Sequence, residues 1–501
     1  MLTRLRTRTS GELTRTRIGA AVVVHAADGV TDDASALAET LPADPEHELV
    51  VADLPCDSPQ EMWKSFVSAL PRGRRPLRVV PGRLPRDVAP YVWQWVADRV
   101  GRPVLAPYGT VLAGGSGLFV HSLDRTGWVS FRRGGPPAWR GKRFPRPGWD
   151  SIEFGQVRVA GFRGVAEPLP SGMWLRPDVE QDALATARTR LTAALPCLPD
   201  TPLIVLGARD ALPVELTDIA AFVRSLPPKL ACAARFVAYG DVATRGGPLG
   251  QNLADALGMD VFAYTGIPTG SPGALDVLAL RKDGSLGPGV FAHVYAYRPA
   301  GGGTGRLCVY RSPVTGLGEV SPGVFWYAQG IVVEVVRAGL WVRPAEQITD
   351  PAGVRAAPLD PQHNLVLYEE TDRVREAAAD LLNRLDEATG HATVLMPATA
   401  LSGNIVPGRA LADPTRTETV RSAAKSGQRA QSPSPRPERA RPEGERPRAA
   451  APGAGEPADQ ADDTDGTDLP WLSRMMETMA MPVPPRPSEV ESQDDRVLGG
   501  R

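Results

Sequence analysis

The sequence lacks any uninterrupted apolar stretch of the roughly 18–20 residues that a membrane-spanning helix needs. The apolar run after residue 18 is short and rich in β-branched residues, and no small-residue cleavage site follows it, unlike a Sec signal peptide. We therefore expect a cytoplasmic protein without membrane insertion, and leave export by a route other than Sec open. The net charge of −1 gives no overall field that would attract nucleic acid or an anionic membrane.

Paired metal and disulfide motifs are also absent. Cys56, Cys197, Cys232 and Cys308 lie far apart without a CxxC pair, so their spacing indicates neither a disulfide framework nor a zinc ribbon. The histidines form no HxH or HExxH motif, and neither GxxxxGK[ST] nor GxGxxG follows a predicted strand. The sequence therefore predicts no metal and no cofactor.

What the sequence does contain is an internal similarity. Residues 96–106 resemble residues 253–263 at a constant offset of 157 positions, and residues 66–71 resemble residues 222–227 at an offset of 156. Several collinear matches at nearly one offset indicate that a module is duplicated.

Each copy alternates short apolar runs with amphipathic segments at helical spacing. In the first copy, runs at 49–52, 77–80 and 104–106 are separated by two predicted helices, and the second helix ends at Gly101 as its counterpart ends at Gly258. Such alternation predicts a doubly wound α/β module with a parallel sheet covered on both faces. Alternating residues after the third run predict additional antiparallel hairpins.

We therefore predict four parts along the chain. Two repeated α/β modules occupy residues 18–175 and 180–345, and a small C-terminal βαβ segment with Thr371 as a helix N-cap occupies residues 346–412. Residues 413–501 are rich in Pro, Arg, Ser, Ala and Glu and poor in aromatics, a composition typical of a disordered tail.

A short amphipathic segment, residues 469–481, interrupts the predicted tail. Its large apolar side chains recur at helical spacing and form one predicted face: Trp471, Leu472, Met475, Met476 and Met479. A Met-rich stripe with an aromatic anchor is typical of a helix that binds in a groove of a partner. We predict that these residues bind another protein, and the alternative is that they pack on the chain's own domains.

One candidate catalytic group lies at the predicted strand ends. His25 closes the first apolar run, and Cys56 follows the next run shortly after Asp53. Ligands of α/β sheets bind beyond the carboxyl ends of the strands, so a Cys56 thiol activated by His25 and oriented by Asp53 would form a hydrolase dyad. The alternative is a strand-end histidine beside an incidental cysteine, and the second copy favours it because neither residue has a counterpart there.

A basic aromatic loop at residues 132–149 is the candidate anion-binding element. Arginines beside aromatic rings suit stacking on bases or contacts with phosphates, whereas the interspersed prolines favour a rigid strap that packs its rings on the domain. Both interpretations stay open. The candidate anion-binding side chains are Arg132, Arg133, Arg140, Lys142, Arg143 and Arg146.

Several phrases resemble modules of very large actinobacterial proteins of the polymorphic-toxin kind. They are PLGQNLADALG at 248–258, VFAYTG at 261–266, GWVSF at 127–131, RFPRP at 143–147 and GLWVRP at 339–344. The resemblance spans about residues 45–410 and implies a caspase-like peptidase fold.

The resemblance also implies that a catalytic cysteine precedes the helix at 248–258. Here residues 237–240 are VAYG, and residues 80–82 of the first copy are VPG. The resemblance therefore implies two copies without the nucleophile. It further implies a C-terminal effector domain, in whose place this chain has the predicted tail.

Our leading hypothesis is a catalytically inactive tandem α/β scaffold in a toxin- or secretion-related system. It would bind a partner through strand-end loops and residues 469–481. One alternative is a caspase-like cysteine hydrolase that uses Cys56 with His25, and another is a nucleotide or nucleic-acid binder that uses residues 132–149. The sequence favours a non-enzymatic function.

Overall fold

The computed structural model describes residues 13–401, with gaps at 115–116, 122–125, 152–153, 161–163, 180–181, 245, 302, 304, 348 and 351–352. These residues belong to one of the two compact units into which the chain divides, and the other, Val406–Ser473, lies outside the described residues. The fold is α/β, as predicted, and its three large sheets each combine parallel and antiparallel strands. The predicted tail at 413–501 also lies outside the described residues.

The first large sheet is built from the N-terminal part of the described chain. Its elements and those of a small neighbouring sheet are β1 (Leu13–Ile18), β2 (Ala21–Ala26), α1 (Asp32–Thr40), β3 (Glu48–Ala52), α2 (Gln60–Ala69), β4 (Leu77–Pro81), α3 (Pro90–Val100), β5 (Val104–Tyr108), β6 (Val111–Gly114), β7 (Gly117–Val120), β8 (Gly127–Phe131), β9 (Ala138–Gly141) and β10 (Arg143–Phe144). The strand order is β1-β2-β3-β4-β5-β8-β9. Strands β2 to β5 run parallel, whereas β1, β8 and β9 pair antiparallel at the two sides. Strands β6, β7 and β10 form the small antiparallel sheet.

Helices cover both faces of the first sheet. Alternate side chains of a strand point to opposite faces, so Val24 and Val50 pack in the core with α2 and α3, while Val23 and Val51 pack in the core with α1. Because both faces are buried, each parallel strand is an almost continuous apolar run, and this is why the sequence reveals these strands.

The second large sheet follows in the chain. Its elements and those of two small sheets beside it are β11 (Arg158–Ala160), β12 (Gly164–Leu169), β13 (Gly172–Pro177), α4 (Ala185–Ala194), β14 (Leu203–Leu206), β15 (Val214–Glu215), α5 (Leu216–Arg224), α6 (Pro228–Ala233), β16 (Arg235–Ala238), β17 (Val242–Ala243), α7 (Leu249–Leu257), β18 (Val261–Tyr264), β19 (Ile267–Ser271), β20 (Ala274–Leu280), β21 (Leu286–Gly289), β22 (Ala292–Tyr297) and β23 (Arg306–Tyr310). The strand order is β11-β12-β13-β14-β16-β18-β22-β23. Strands β13, β14, β16 and β18 run parallel, and the outer pairs are antiparallel.

The third large sheet has six strands among the described residues and ends at β29. Its elements are β24 (Glu319–Ser321), β25 (Val324–Ala328), β26 (Ile331–Val336), β27 (Gly339–Pro344), β28 (Asn364–Tyr368), α8 (Asp372–Arg384), α9 (Glu387–His391) and β29 (Thr393–Pro397). The strands follow in sequence order, and only β27, β28 and β29 run parallel. One apolar core joins the second and third sheets, since Phe236 and Phe291 belong to the same cluster as Val342 and Val366.

The sheet limits differ from the predicted limits of the modules. The predicted end of the first module, residue 175, falls inside β13, and this strand pairs with β14 of the second sheet. The predicted end of the second module, residue 345, follows β27, and this strand pairs with β28 of the third sheet. Each predicted module limit therefore separates the antiparallel hairpin that begins a sheet from the parallel strands that follow it. The sequence similarities on which the limits are based lie in the central parallel strands and do not mark the hairpins.

The predicted helix ends agree with the structure. Helix α3 ends before Gly101 at φ +69° and α7 before Gly258 at φ +68°. Both values lie in the left-handed region, which glycine adopts without a steric penalty. Thr371 is the N-cap of α8, since its side chain accepts a hydrogen bond from the Val374 backbone N–H.

A buried ion cluster stabilises the β12–β13 hairpin. Glu167 accepts a hydrogen bond from Arg176 Nε at 2.7 Å and a second one from Arg188. Burial alone would raise the pKa of Glu167, but the hydrogen bonds from these two arginines outweigh that effect and lower its pKa. The Arg176 guanidinium also lies 5.8 Å from the ring centroid of the buried Trp174.

The β26–β27 hairpin carries the same cluster 167 positions later. Glu334 accepts a hydrogen bond from Arg343 Nε at 2.8 Å and a second one from Arg355. Both guanidiniums lie over the ring of Trp341, at 5.3 and 5.2 Å from its centroid. Two hairpins of different sheets thus each carry a glutamate that accepts hydrogen bonds from two arginines, one on the hairpin and one that follows it in the chain.

The strap, residues 132–149, joins the first sheet to the second through Arg143. This side chain is 2% exposed, and its guanidinium donates to the carbonyl oxygens of Pro170 at 2.9 Å and Gly172 at 2.8 Å, in the β12–β13 turn. Its charge is balanced by Asp150, which is also buried. Trp149 places its ring in the core of the second sheet. The strap therefore holds the two sheets together.

We expect Arg143→Ala to lower the free energy of unfolding by about 3–5 kcal/mol, because Asp150 would remain buried without its partner. Arg143→Lys should recover only part of the loss, since a lysine cannot donate to several acceptors in a planar fork. Denaturant unfolding followed by tryptophan fluorescence measures the effect. Arg140→Ala, a neighbouring exposed site, is the matched control, and equal stability of the two alanine variants would contradict the role of Arg143.

Candidate functional site

The candidate catalytic side chains bind different partners. His25 is buried on β2, with Nδ1 at 2.8 Å from the Ala26 carbonyl oxygen and Nε2 at 2.9 Å from Thr16 Oγ1. Cys56 is a half-buried free thiol that packs against the core cluster to which α2 and α3 contribute. Within the described part of the chain, no hydrogen bond joins His25, Asp53 and Cys56 to one another. The geometry thus gives the hydrolase hypothesis no support.

Asp53 instead connects three loops at the carboxyl ends of β2, β3 and β4. Its fully buried carboxylate accepts hydrogen bonds from Thr31 N and Thr31 Oγ1, both at 2.8 Å, and from Arg83 Nε at 2.7 Å. Ligands of α/β folds often bind at this edge. Here the carboxylate already has three donors, so its role is to position these loops and Arg83.

The six basic side chains of the strap separate into two groups. Lys142 and Arg143 point inward, and Lys142 Nζ donates to the His121 carbonyl oxygen at 3.0 Å and to Thr126 Oγ1 at 2.7 Å. The burial of Phe144 and Trp149 agrees with a strap that packs its rings on the protein. The other four basic side chains are exposed: Arg132, Arg133, Arg140 and Arg146.

A cavity of about 610 Å³, which we call the basic cavity, lies beside the strap. Two carboxylates, Asp44 and Glu46, line it together with five arginines. The Arg132 and Arg140 guanidiniums make no ion pair with any carboxylate that the structure describes. The cavity therefore has an excess of positive charge. Its arginines are Arg78, Arg132, Arg140, Arg143 and Arg146.

The floor of the basic cavity is an ion pair beside two aromatic rings. Arg78 Nε donates to Asp44 Oδ2 at 2.6 Å. The Arg78 guanidinium lies 3.9 Å from the ring centroid of Phe144 and 5.0 Å from that of Trp128. A guanidinium over a ring face is attracted by the ring's quadrupole. Arg78 thus occupies the ring faces that a nucleobase would need for stacking.

Asp44 is ionised at neutral pH because of its donors. Burial by itself would raise the pKa of Asp44, but hydrogen bonds from His47 and Arg78 and the Arg78 charge hold that pKa well below its usual range. Burial lowers the pKa of Arg78, and the Asp44 carboxylate offsets only part of this effect. The pair is therefore a fixed part of the cavity floor, and Arg132 and Arg140 are the cations available to a ligand.

Arg78 and Asp44 were missed as site residues in the sequence. Arg78 belongs to the repeated phrase LRVV, where Arg235 is its counterpart, but a strand residue in an apolar run indicates packing more than binding. Asp44 lies in a loop 34 positions before Arg78, and no local pattern links the two. Their pairing depends on how β3 and β4 align.

The sequence also predicts no metal site, no membrane insertion and a protein-binding segment in the tail. Among the residues described, no group of three or more His, Cys, Asp or Glu side chains converges as metal ligands. No described helix has the length and apolar composition to cross a membrane. The predicted partner-binding residues Trp471, Leu472, Met475, Met476 and Met479 lie outside the described residues.

The fold and the basic cavity together define an α/β protein with mixed sheets and a positively charged site. No family model, no curated protein and no solved structure matches the chain.

We expect an alkylating probe at near-neutral pH to label Cys56 no faster than the exposed Cys232, and His25→Ala to leave the Cys56 rate unchanged. Cys197 should react more slowly than Cys232, because burial raises its pKa to about 11 and leaves little thiolate. Mass spectrometry of the alkylated peptides measures each rate. A Cys56 rate more than tenfold above that of Cys232, lost in His25→Ala, would restore the hydrolase hypothesis.

We expect the stability contributed by Asp44 to depend on pH. Since the folded-state pKa is depressed, this contribution is fully present above the unfolded pKa of about 3.9 and declines as the pH falls below it. The difference in free energy of unfolding between the natural chain and Asp44→Asn should therefore shrink below about pH 4. Urea unfolding at several pH values measures it. Asp57→Asn, at an exposed site, is the control, and a pH-independent difference for Asp44→Asn would contradict the prediction.

Proposed function

We propose that the chain is a binding protein, a tandem α/β scaffold that holds an anionic group of its ligand in the basic cavity. The observation that carries the proposal is the convergence of five arginines on one cavity with two carboxylates. Arg132 and Arg140 supply the contacts, since their guanidiniums are exposed and free of ion pairs among the described residues. Arg78 and Arg143 line the cavity from fixed positions, and each is paired with a carboxylate.

Phosphate and carboxylate are the ligand groups that suit this site. A guanidinium presents a planar fork of donors that matches either group with two parallel hydrogen bonds. A binding function through base stacking is less well supported, because Arg78 covers the faces of Trp128 and Phe144. We therefore favour an anionic group over a nucleobase as the recognised feature.

The scaffold is part of the same proposal, and we take its three large sheets to be versions of one module. Strands β2-β3-β4-β5-β8 and β13-β14-β16-β18-β22 share strand order and direction, and β27, β28 and β29 repeat the first steps. The Glu–Arg–Arg clusters of the β12–β13 and β26–β27 hairpins support this relation. The third version goes beyond the two copies that the sequence indicates.

Two further elements of the proposal rest on the sequence. A relation to modules of polymorphic-toxin proteins would place the scaffold in a toxin- or secretion-related system. Residues 469–481 stay our predicted protein-binding segment, because of the helical spacing of their apolar side chains. What supports binding over hydrolysis is that His25 and Asp53 hydrogen-bond other partners and not Cys56.

Calorimetric titration of the full chain with inorganic tripolyphosphate tests the proposal. Arg132→Ala with Arg140→Ala should weaken binding at least tenfold, since each lost charge-assisted contact is worth about 1.5–3 kcal/mol. The affinity should also fall steeply with added salt.

Arg133→Ala is the matched control, because Arg133 is exposed on the same strap but does not line the basic cavity. It should change the affinity less than twofold. A poly-glutamate peptide in a parallel titration distinguishes carboxylate from phosphate ligands. If neither probe binds, or if Arg133→Ala weakens binding as much as the double variant, the cavity is not the site.

A further inference from the structure

A second cleft lies on the other side of the strap. Two adjoining cavities of about 370 and 650 Å³ lie between the β6–β7 hairpin and residues 192–199. We call them together the apolar cleft, because they share part of their lining. The shared residues are Ala113, Gly114, Gly117, Pro145 and Cys197. Cavities of this size hold small organic ligands in other proteins.

Most residues of the apolar cleft are apolar, and its charged side chains are Asp33, Arg86, Arg143 and Arg146. Leu37, Leu118 and Leu195 line it, with six prolines whose backbone nitrogen carries no hydrogen. An apolar chain would lose little hydrogen bonding on entering such a site and would gain by leaving water. The prolines are Pro42, Pro145, Pro147, Pro170, Pro199 and Pro272.

Arg86 lines this cleft with an unusual backbone conformation and an unusual side-chain environment. It has a left-handed backbone conformation, φ +55°, which non-glycine residues adopt only where the surrounding structure holds them. Its carbonyl oxygen accepts a hydrogen bond from Val111 N at 3.1 Å, and this contact fixes it beside β6. Its Nε is buried and has no hydrogen-bond partner in the described structure.

The Arg86 charge is also incompletely balanced. Asp33 lines the same cleft, but no ion pair within 4.0 Å joins Arg86 to any described carboxylate, whereas Arg78 and Arg143 each have one. A partly buried charge without a counter-charge is costly. The unbalanced Arg86 charge at the edge of an apolar cleft matches a ligand with one anionic end.

We infer that the apolar cleft binds an amphipathic carboxylate, with its hydrocarbon part between the proline walls and its carboxylate at Arg86. The guanidinium donates to the carboxylate oxygens, and the hydrocarbon displaces water from the walls. This site is separate from the basic cavity of the proposed function, with which it shares Arg143, Pro145 and Arg146 of the strap.

The test is calorimetric titration of the full chain with decanoate, below its aggregation concentration, and with 1-decanol as the uncharged match. We expect decanoate to bind at least tenfold more tightly than decanol. Arg86→Met keeps an unbranched flexible side chain and removes the guanidinium charge, so it should reduce decanoate affinity to the level of decanol and leave decanol affinity unchanged.

Two further variants keep the test decisive if Arg86→Met fails to fold. Arg86→Lys retains the charge and should keep most of the preference for decanoate. Ala113→Trp fills the cleft and should abolish binding of both probes. Arg132→Ala with Arg140→Ala should leave decanoate binding unchanged, so failure of this site and failure of the basic cavity are distinguishable.

The inference is overturned if decanoate and decanol bind equally, or if Ala113→Trp leaves both affinities intact. It is also overturned if the natural chain dimerises in sedimentation experiments and Ala113→Trp makes it monomeric. In that case the cleft is an interface between copies of the chain.

Discussion

The buried guanidinium of Arg143 is the contact on which the arrangement of the first two sheets depends. A charge with 2% exposure needs both a counter-charge and several acceptors, and here Asp150 supplies the first while the β12–β13 turn supplies the second. If the strap left its place, the carbonyl oxygens of Pro170 and Gly172 would lose the Arg143 donors that now satisfy them. Because the strap borders both the basic cavity and the apolar cleft, the shape of each depends on this one side chain.

The parallel cores were predictable because of how they are buried. Strands covered on both faces must be apolar at every position, and helices that stop at a left-handed residue need glycine, so β3, β4, Gly101 and Gly258 all appear in the sequence. The hairpins at the start of the second and third sheets left weaker signals. Their Glu–Arg–Arg clusters consist of charged residues far apart in sequence, and their pairing becomes evident only when the strands align.

The sequence predicts which types of residue form the candidate sites, but not how their side chains are arranged. The sequence shows that the strap is basic and aromatic, but it does not show that Lys142 turns inward to Thr126 while Arg132 and Arg140 stay exposed. That choice depends on Asp150 and on the strand register. Arg86 has no motif at all, since its unusual backbone conformation and unpaired donor arise from the fold around β6. Residues whose roles depend on distant loops leave no local periodicity.

Strand β29, at the edge of the third sheet, limits how molecules of this protein can associate by pairing their sheet edges. Among the described residues β29 pairs with a strand on one side only, and the backbone groups of its other side pair with no strand that the structure describes. Pro397 closes the strand and has no backbone hydrogen to donate. Pairing in that direction is confined to the few residues before Pro397, and a long continuous ribbon between molecules is disfavoured.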